Sequence, residues 1–383
     1  MMKITFICGS MQPGKDGVGD YTRRLAAALI KLGHQASVIA LYDKEVRIET
    51  SIEQEQEGVT VPVLRLPFRL SWNKKKIFVE NWLNEYDPDW LSLQYVPYSF
   101  SKKGIPIFLG NKLSAISDNI RWHVMVHEPF LGLGKSVKSQ IIRVLQIYSL
   151  KSLGWNLNPI FHTSIFHYKA MIDGELNIDT KIMGLFGNIP LSNVENHSSR
   201  LKKKTSLVKT GVYFGSAPPP RHFDFFMSKI NAYHNKYGVA IRMILCGDLG
   251  VNGKDFELAL KSSLLNRGIQ EIEVLGRIPS YKIADVFRKV DFGISRVPTR
   301  LLGKSGSTIS MLEHGLPVWF PVVENTENQY PIDYRRELCF FDLDDLQELQ
   351  KKNFVPENRL LSISSRFVKE LTAHAEKQNE AII

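Results

Sequence analysis

Residues 294–318 read ISRVPTRLLGKSGSTISMLEHGLPV and place small, hydroxyl-bearing and basic residues at the start of a predicted helix. A helix N-terminus leaves backbone N–H groups without intrahelical partners and carries the positive end of the macrodipole, so it attracts anions. A lysine in this segment adds a full charge, and the hydroxyls add hydrogen-bond donors. We therefore expect a phosphate site whose candidate residues are Lys304, Ser305, Gly306, Ser307 and Thr308. The alternative is that Ser305 or Ser307 only caps the helix.

The loop after the first predicted strand reads GSMQPGKDGVGDYTRR and forms a second candidate anion cradle. Gly17 and Gly19 come just before a helix that we expect to open at Asp20 or Tyr21. The loop is long, and Tyr21 or Thr22 stands where a dinucleotide fingerprint would have its third glycine, so it is not that fingerprint. A turn without a ligand is the alternative interpretation.

Short apolar runs alternate with amphipathic stretches along the whole chain, which predicts α/β architecture with parallel sheets wrapped by helices. The predicted strands are 4–8, 37–41, 61–66, 90–94, 123–127, 160–163, 181–185, 208–214, 241–246, 273–275, 292–295 and 318–320. The predicted helices include 21–32, 74–86, 139–153 and 359–376, the last with Leu360, Ile363, Phe367 and Leu371 on one face.

A chain of 383 residues is long enough for two domains. The stretch 188–206 is polar and has no periodic apolar pattern, so we place a linker there. The predicted divisions are a first domain at 1–187, a second at 207–358 and a C-terminal helix at 359–383. Ligands of open parallel sheets bind at the carboxyl ends of the strands, so two such domains are expected to face a cleft.

The composition, with 44% hydrophobic and 10% aromatic residues, is typical of a soluble globular protein. The sequence has no run of about 20 apolar residues, and its start lacks the plan of a signal peptide, so we expect a cytoplasmic protein. Cys8, Cys246 and Cys339 are too few for a disulfide framework or a zinc site, and two of them lie in apolar runs as buried thiols would.

The net charge of +10 favours an anionic substrate or partner. Basic residues are scattered around 74–76, 102–103, 135–151 and 202–204 and do not form an aromatic-interleaved nucleic-acid motif. Nucleic-acid binding is therefore not expected, and a solvated basic face is the plain alternative to a binding surface.

Several segments, in this order and spacing, carry a family resemblance. They are DGVGDYTRRLAAALIKLGHQASVI, VMVHEPF, GLFGNIP, GVYFGSAPPPRHFDFF and VLGRIPSYKIADVFRKVDFGIS leading into KSGSTISMLEHGLPV. The chain resembles GT-B glycosyltransferases, in particular the retaining family 4 that uses nucleotide-sugar donors. The resemblance implies two Rossmann-like, doubly wound parallel-sheet domains facing a cleft, with a C-terminal helix packing back.

The resemblance also implies roles for residues of the first domain. Gly17 and Gly19 match the family loop that approaches donor phosphate and acceptor, and Asp20 would orient or deprotonate an acceptor hydroxyl. His127 matches a histidine that hydrogen-bonds the donor sugar. The alternative for His127 is a structural histidine at a strand end.

In the second domain the family usually has an Arg and, five positions later, a Lys that neutralise the diphosphate. Ser216 occupies the Arg position and Arg221 the Lys position. The family's two Glu residues separated by seven are absent, because Leu302 and Ser310 occupy those positions, and Glu313 lies on a different helical face. We expect Lys304 to supply diphosphate charge in a different way.

The sequence therefore predicts a glycosyltransferase that moves a sugar from a nucleoside-diphosphate sugar, its co-substrate, to a hydroxyl acceptor. We expect no other cofactor and no metal, because fixed cations and N–H donors can stabilise the departing diphosphate and the histidines are scattered. The alternatives are a sugar-nucleotide epimerase and a non-catalytic GT-B paralogue that binds a sugar nucleotide or a partner transferase.

The acceptor is expected to be lipid-linked or a surface polysaccharide, with peripheral contact to an anionic membrane. Basic residues gather in the first domain, and the stretch SVKSQIIRVLQIYSLKSLGW mixes cations with an apolar face. The alternative is that Ile141, Leu145 and Leu150 simply pack on the sheet.

Overall fold

The computed structural model describes residues 1–116, 119–132, 136–191, 207–262, 264, 268–322, 334–352 and 354–380. The chain forms two compact units, Met1–Gly184 with Leu360–Ile383, and Leu185–Arg359. The first division thus falls at Gly184, slightly before the predicted boundary at 187. Most of the predicted linker, 192–206, lies outside the described residues.

An eight-stranded sheet forms the centre of the first unit. Its strands are β1 (Lys3–Cys8), β2 (Gln35–Asp43), β3 (Thr50–Gln56), β4 (Val59–Pro67), β5 (Trp90–Tyr95), β6 (Arg121–Val126), β7 (Ile160–Thr163) and β8 (Lys181–Ile182). Their order is β3-β4-β2-β1-β5-β6-β7-β8. The hairpin of β3 and β4 is antiparallel, while the remaining neighbours are parallel, so the sheet is mixed.

Six helices of the first unit alternate with these strands: α1 (Gly17–Lys31), α2 (Trp72–Tyr86), α3 (Pro97–Phe100), α4 (Leu109–Ser114), α5 (Val137–Leu157) and α6 (Phe166–Leu176). Helix α1 begins earlier than predicted, at Gly17, because the side chain of Asp16 caps it. It ends before Gly33, whose φ of 83° is the left-handed conformation expected there.

The second unit contains a six-stranded sheet in the order β11-β10-β9-β12-β13-β14. Its elements are β9 (Val208–Phe214), α7 (Phe223–Tyr237), β10 (Ala240–Cys246), α8 (Gly253–Ser262), β11 (Ile269–Gly276), α9 (Ser280–Lys289), β12 (Phe292–Ile294), α10 (Gly306–Glu313), β13 (Val318–Trp319), β14 (Cys339–Phe340) and α11 (Leu346–Leu349). Its strand pairs are all parallel in the described part of the chain. The predicted α/β fold with two wrapped sheets is confirmed.

The final helix, α12 (Arg359–Glu380), returns to the first unit. Its predicted apolar face is buried, with Phe367 only 1% exposed and its ring 6.0 Å from that of Phe6. Beside it, His162 Nε2 lies 2.7 Å from Glu370 Oε2. The three cysteines are free thiols, and Cys8 and Cys246 are buried as expected.

One buried cation stands out in the first unit. Lys75 of α2 is 0% exposed, and its Nζ lies 3.5 Å from the centroid of the Tyr42 ring. Its Nζ also donates to the carbonyl oxygen of Phe68 at 3.4 Å. Burial, and then the nearby charge of Lys112, lower the pKa of Lys75 to about 7.

We predict that Lys75→Met stabilises the protein at neutral pH by about 1–2 kcal/mol, because burying a lone charge costs more than one cation–π contact repays. Between pH about 7 and 10.5 the unfolded chain holds a proton that folded Lys75 has lost, so wild-type stability rises with pH in that interval. The advantage of the variant is therefore largest below pH 7 and shrinks toward pH 10. Urea unfolding at about pH 6 and pH 9 measures this.

The matched control is Lys74→Met, since Lys74 is the exposed neighbour on the same helix. It should leave the unfolding midpoint nearly unchanged at both pH values. Equal effects of the two substitutions would show that Lys75 carries no burial cost.

Candidate functional site

In the second unit, β9 and β12 are parallel neighbours, with Tyr213 paired to Ile294. Both strands therefore end at the same edge of the sheet, and the loops that follow them leave this edge side by side. The first loop begins at Gly215, and the second leads through a 3₁₀ turn, Thr299–Lys304, to α10.

The N-terminus of α10 is capped by a side chain of its own segment. Ser305 is the N-cap, and its Oγ accepts a hydrogen bond from Thr308 N at 3.4 Å. The Thr308 hydroxyl lies 2.9 Å from Ser305 Oγ and 3.2 Å from Ser295 Oγ. Ser305 and Thr308 are both buried, so their hydroxyls serve the cap, whereas Gly306 and Ser307 are only half-buried and form the outer surface of this turn.

Two glycines, Gly215 and Gly306, lie close to neighbouring side chains at this turn. Gly215 has a φ of 102°, and a Cβ there would come to 3.5 Å from Ser307 Oγ. A Cβ on Gly306 would come to 3.0 Å from Nδ2 of Asn188. The loop after β9, the Asn188 side chain and the first turn of α10 thus meet at one place, and the lack of a side chain on Gly306 permits the approach of Asn188.

A cation that sequence reasoning missed lies at the same edge. Arg296 lies two residues after the end of β12, is exposed, and donates from Nη1 to Ser216 Oγ at 2.8 Å. Ser216 is the position at which the resemblance implies an arginine. The guanidinium therefore reaches this position from the neighbouring strand, which becomes visible only once β9 and β12 are known to be adjacent.

The two predicted cations of this site are placed differently. Lys304 is the last residue of the 3₁₀ turn before Ser305 and is half-buried. Arg221 lies in the 3₁₀ turn Pro220–His222 before α7, and its side chain is outside the described part of the structure.

Leu302 and Ser310, which occupy the positions of the Glu pair in the resembling family, are both buried. Leu302 is 1% exposed, and Ser310 is fully buried, with its Oγ donating to Gly306 O at 2.7 Å and accepting from Ile189 N at 3.2 Å. Glu313 is buried against Gly187, where an added Cβ would come to 2.7 Å from Oε2. The three side chains thus serve the packing of α10 and the 185–191 segment.

In the first unit the predicted cradle at Gly17 and Gly19 already holds a carboxylate. Asp16 Oδ1 accepts from Val18 N at 2.9 Å and from Gly19 N at 3.4 Å. Burial, assisted by the negative charge of nearby Asp20, raises the pKa of Asp16. A Cβ on Gly19 would collide with the carbonyl oxygen of Ser10, so this glycine permits the close packing of α1 on the preceding loop.

The Asp20 carboxylate has two partners in the first unit, a backbone N–H and an arginine. Its Oδ1 accepts from Gly14 N at 3.0 Å and forms an ion pair with Arg23. Arg23 in turn donates to Gln54 Oε1 and Gln56 Oε1, each at 3.1 Å, and so ties the start of α1 to β3. Through Oδ1, Asp20 anchors the glycine-bearing loop.

His127 follows β6 and is 6% exposed. Its Nε2 lies 3.0 Å from Gln94 Oε1, and the Tyr21 ring packs edge-on at 5.0 Å. The chain of contacts continues from Gln94 Nε2 to Ser92 Oγ at 2.8 Å, and from Ser92 Oγ to His123 Nδ1 at 2.7 Å. Burial lowers the pKa of His127 to about 3, so the ring is neutral at physiological pH.

Among the described residues no three His, Cys, Asp or Glu side chains are grouped so that they could hold a metal ion. In the same part of the chain no helix is both long and apolar enough to cross a membrane.

No family model and no curated protein sequence matches the chain, but solved structures resemble it over nearly its whole length. The HepE protein of Anabaena, solved with UDP-glucose, is 13% identical, covers 97% of this chain and 100% of its own, and has a TM-score of 0.56. A glycosyltransferase from Rickettsia africae is 12% identical with 96% and 97% coverage and a TM-score of 0.54.

The UDP-GlcNAc 2-epimerase of Methanocaldococcus jannaschii is also similar, at 12% identity, 97% and 100% coverage and a TM-score of 0.52. Similarity at such low identity concerns the fold. It shows that this chain has the GT-B fold, with a Rossmann-like sheet in each of its two units.

The capping geometry gives a prediction about Ser305 and Ser307. Ser305→Ala should lower the free energy of unfolding by about 1 kcal/mol, because Thr308 N loses its side-chain acceptor. Ser307→Ala should change it by less than about 0.5 kcal/mol, since its side chain is on the outer surface of the turn. Urea unfolding of both variants measures the difference, and equal losses would contradict the assignment of Ser305 as the cap.

Proposed function

We propose that the protein is a glycosyltransferase that moves a sugar from a nucleoside-diphosphate sugar to a hydroxyl acceptor. The observation that carries the proposal is the position of Arg296 on Ser216, beside the first turn of α10. The fold supports it, because HepE, which shares the fold, is solved with UDP-glucose.

The donor diphosphate is assigned to the second unit. As the glycosidic bond to the donor breaks, negative charge grows on the diphosphate, and preorganised cations and N–H groups stabilise it. Arg296, Lys304 and Arg221 would supply the charge, and Gly306 and Ser307 the backbone donors at the positive end of α10. Each such contact contributes about 2–4 kcal/mol to lowering a barrier of this kind, so the proposal includes no metal ion.

The first unit would contribute the contact to the sugar. A histidine with a pKa of about 3 is too weak a base to remove a proton near pH 7, but its neutral ring can hydrogen-bond a sugar hydroxyl. His127 is therefore assigned to positioning the donor. Asp20 keeps its proposed role toward the acceptor hydroxyl, together with the turn that contains Gly17 and Gly19.

The acceptor is proposed to be a lipid-linked glycan or a surface polysaccharide, with the enzyme working on the cytoplasmic side of a membrane. The net charge of +10 supports an acceptor carried on an anionic surface.

A second candidate function is binding of a sugar nucleotide without transfer. It is favoured by Leu302 and Ser310, which are buried where the resembling family has its Glu pair. Epimerisation of the sugar nucleotide is the third, because an epimerase shares the fold. Product analysis with a labelled UDP-sugar separates the three. Transfer moves the label to the acceptor, epimerisation gives the C2 epimer of the UDP-sugar, and binding alone leaves the UDP-sugar unchanged.

The donor site predicts the effect of removing Arg296. Thermal-shift measurements with uridine, guanosine and adenosine diphosphates and their sugars should show one preferred nucleotide, which at about 100 times its dissociation constant stabilises the fold by about 2.7 kcal/mol. Arg296→Ala should weaken that binding by about tenfold to a hundredfold, because a charge-assisted hydrogen bond contributes about 1.5–3 kcal/mol. Lys304→Ala and Arg221→Ala should act in the same direction.

The matched control is Arg288→Ala, which removes an exposed arginine of the same unit from helix α9. It should leave nucleotide affinity unchanged. Wild-type affinity in both Arg296→Ala and Lys304→Ala would show that the diphosphate site has been assigned wrongly.

The sugar contact predicts a different pattern for His127→Ala. Turnover should fall more than nucleoside-diphosphate affinity, because the contact is to the sugar. The melting temperature should also fall, since Gln94 Oε1 loses its partner. His162→Ala, which removes a buried histidine of β7 that pairs with Glu370, is the control and should lower stability without a selective effect on turnover. If His127→Ala keeps the wild-type rate, the histidine is structural.

A further inference from the structure

Helix α5 carries an apolar stripe on its solvent side. The α5 stripe consists of Val137 (72% exposed), Ile141 (56%), Val144 (61%), Tyr148 (48%) and Trp155 (69%). These residues are spaced by four, three, four and seven positions, which keeps them on one face at about 100° per residue. The stripe spans 18 intervals of about 1.5 Å, or about 27 Å.

The opposite face of α5 packs on the sheet. Its residues Gln146, Ile147, Leu150 and Leu153 are buried, so the fold has already covered the part of the helix that it needs. The alternative prediction was that Ile141, Leu145 and Leu150 pack on the sheet. Leu150 is buried and Leu145 is half-buried, but Ile141 is exposed. Packing on the sheet therefore does not account for the stripe.

The charged residues of α5 are all positive. Helix α5 contains Lys138, Arg143 and Lys151 but no Asp or Glu, and Lys151 lies within the line of the stripe between Tyr148 and Trp155. Arg143 is paired with Glu175 of α6 at 2.6 Å, which leaves Lys138 and Lys151 as the cations that flank the apolar residues.

The neighbouring segment has the same charge. Helix α4 packs against α5, with Asn111 Nδ2 donating to Asn156 Oδ1 at 3.3 Å. The segment 97–116, which contains α4, has Lys102, Lys103 and Lys112 and no acidic residue. Lys135, part of the same predicted basic cluster, lies outside the described residues. An anionic surface complements both elements.

The aromatic residues of the stripe fit the same surface. Tyr148 and Trp155 form an edge-to-face pair with ring centroids 5.9 Å apart. Tyr and Trp are enriched where lipid headgroups meet hydrocarbon, because each ring is apolar with one polar atom. Exposed apolar residues, such rings and lysines on one helix suit contact with a membrane interface.

We propose that α5 docks the protein on an anionic lipid bilayer, with the α5 stripe in the interface and Lys138 and Lys151 at the headgroup phosphates. A second copy of the chain is a poorer partner, because pairing α5 with itself would bring lysines against lysines without an acidic residue between them. The docking proposal rests on the proposed function, because docking would bring the enzyme to a lipid-linked or surface acceptor. Helix α5 follows β6 and His127 in the chain, so docking would bring the lipid to the unit that carries His127.

Vesicle sedimentation of the full chain tests the proposal. Wild type should bind vesicles of phosphatidylcholine with about 30% phosphatidylglycerol at low salt, and binding should weaken at high salt and with pure phosphatidylcholine. The double variant Val144→Ser/Trp155→Ser should reduce partitioning at least about tenfold. Lys138→Gln and Lys151→Gln should each reduce it about fivefold.

Matched controls lie on the second unit. Val251→Ser/Tyr281→Ser removes two apolar residues that are 99% and 63% exposed, and Lys254→Gln removes one exposed lysine. Both should bind vesicles as wild type does. All variants should keep nucleotide binding in the thermal-shift assay. A wild type that binds vesicles but no nucleoside diphosphate would overturn the proposed function and leave the docking proposal standing.

Equal, negligible binding of wild type to anionic and neutral vesicles would overturn the docking proposal. So would wild-type vesicle binding by the two α5 lysine variants and the stripe variant. Sedimentation velocity without lipid completes the test, because a dimer that the stripe variant converts to monomer would assign the stripe to a second copy instead.

Discussion

The proposed donor site of the second unit depends on the pairing of β12 with β9. Their parallel register, with Tyr213 beside Ile294, brings the next residues of both strands to one edge about 5 Å apart. Arg296 can reach Ser216 only because of this register. Gly293 in β12 supports the same arrangement, since a Cβ there would collide with Met311 Sδ and push α10 off the strands. The pairing of β9 with β12 thus fixes the positions of both the Arg296 guanidinium and the N-terminus of α10.

The two predicted anion cradles differ in what occupies them. At the start of α1 the carboxylate of Asp16 accepts from Val18 N and Gly19 N, so a negative charge of the protein itself already faces the helix dipole. At the start of α10 the cap is the neutral hydroxyl of Ser305, which leaves the positive potential of the helix uncompensated by its own cap. A phosphate therefore gains more at α10, and that is the physical basis for assigning the diphosphate to the second unit.

The sequence predicted the strands that are buried on both faces, because helices on each side of a parallel sheet require continuous apolar runs. Strand β3 was missed since TSIEQEQ is a largely exposed edge strand with little apolar signal. The start of α1 was placed too late because two glycines suggested a loop, whereas Asp16 caps a helix that includes them.

Side-chain pairing across strands was beyond the sequence alone. Arg296, whose guanidinium contacts Ser216, is 80 positions away from it in the chain, and the strand order that joins them follows from the folded sheet. The same holds for Asn188, which stood in the predicted linker but has its amide against Gly306. Sequence patterns predicted the helix that carries the proposed site, while the contacts of that helix come from distant segments.

The proton positions around His127 follow from the chain of hydrogen bonds behind it. Gln94 uses its amide N–H to donate to Ser92 Oγ, so its Oε1 must accept, and the hydrogen between them belongs to His127 Nε2. The neutral ring then has its lone pair on Nδ1, which can accept a hydrogen bond but, with a pKa of about 3, does not take up the proton. A buried glutamine thus selects the tautomer, and this is the basis for proposing that the neutral His127 ring accepts a hydrogen bond from a sugar hydroxyl.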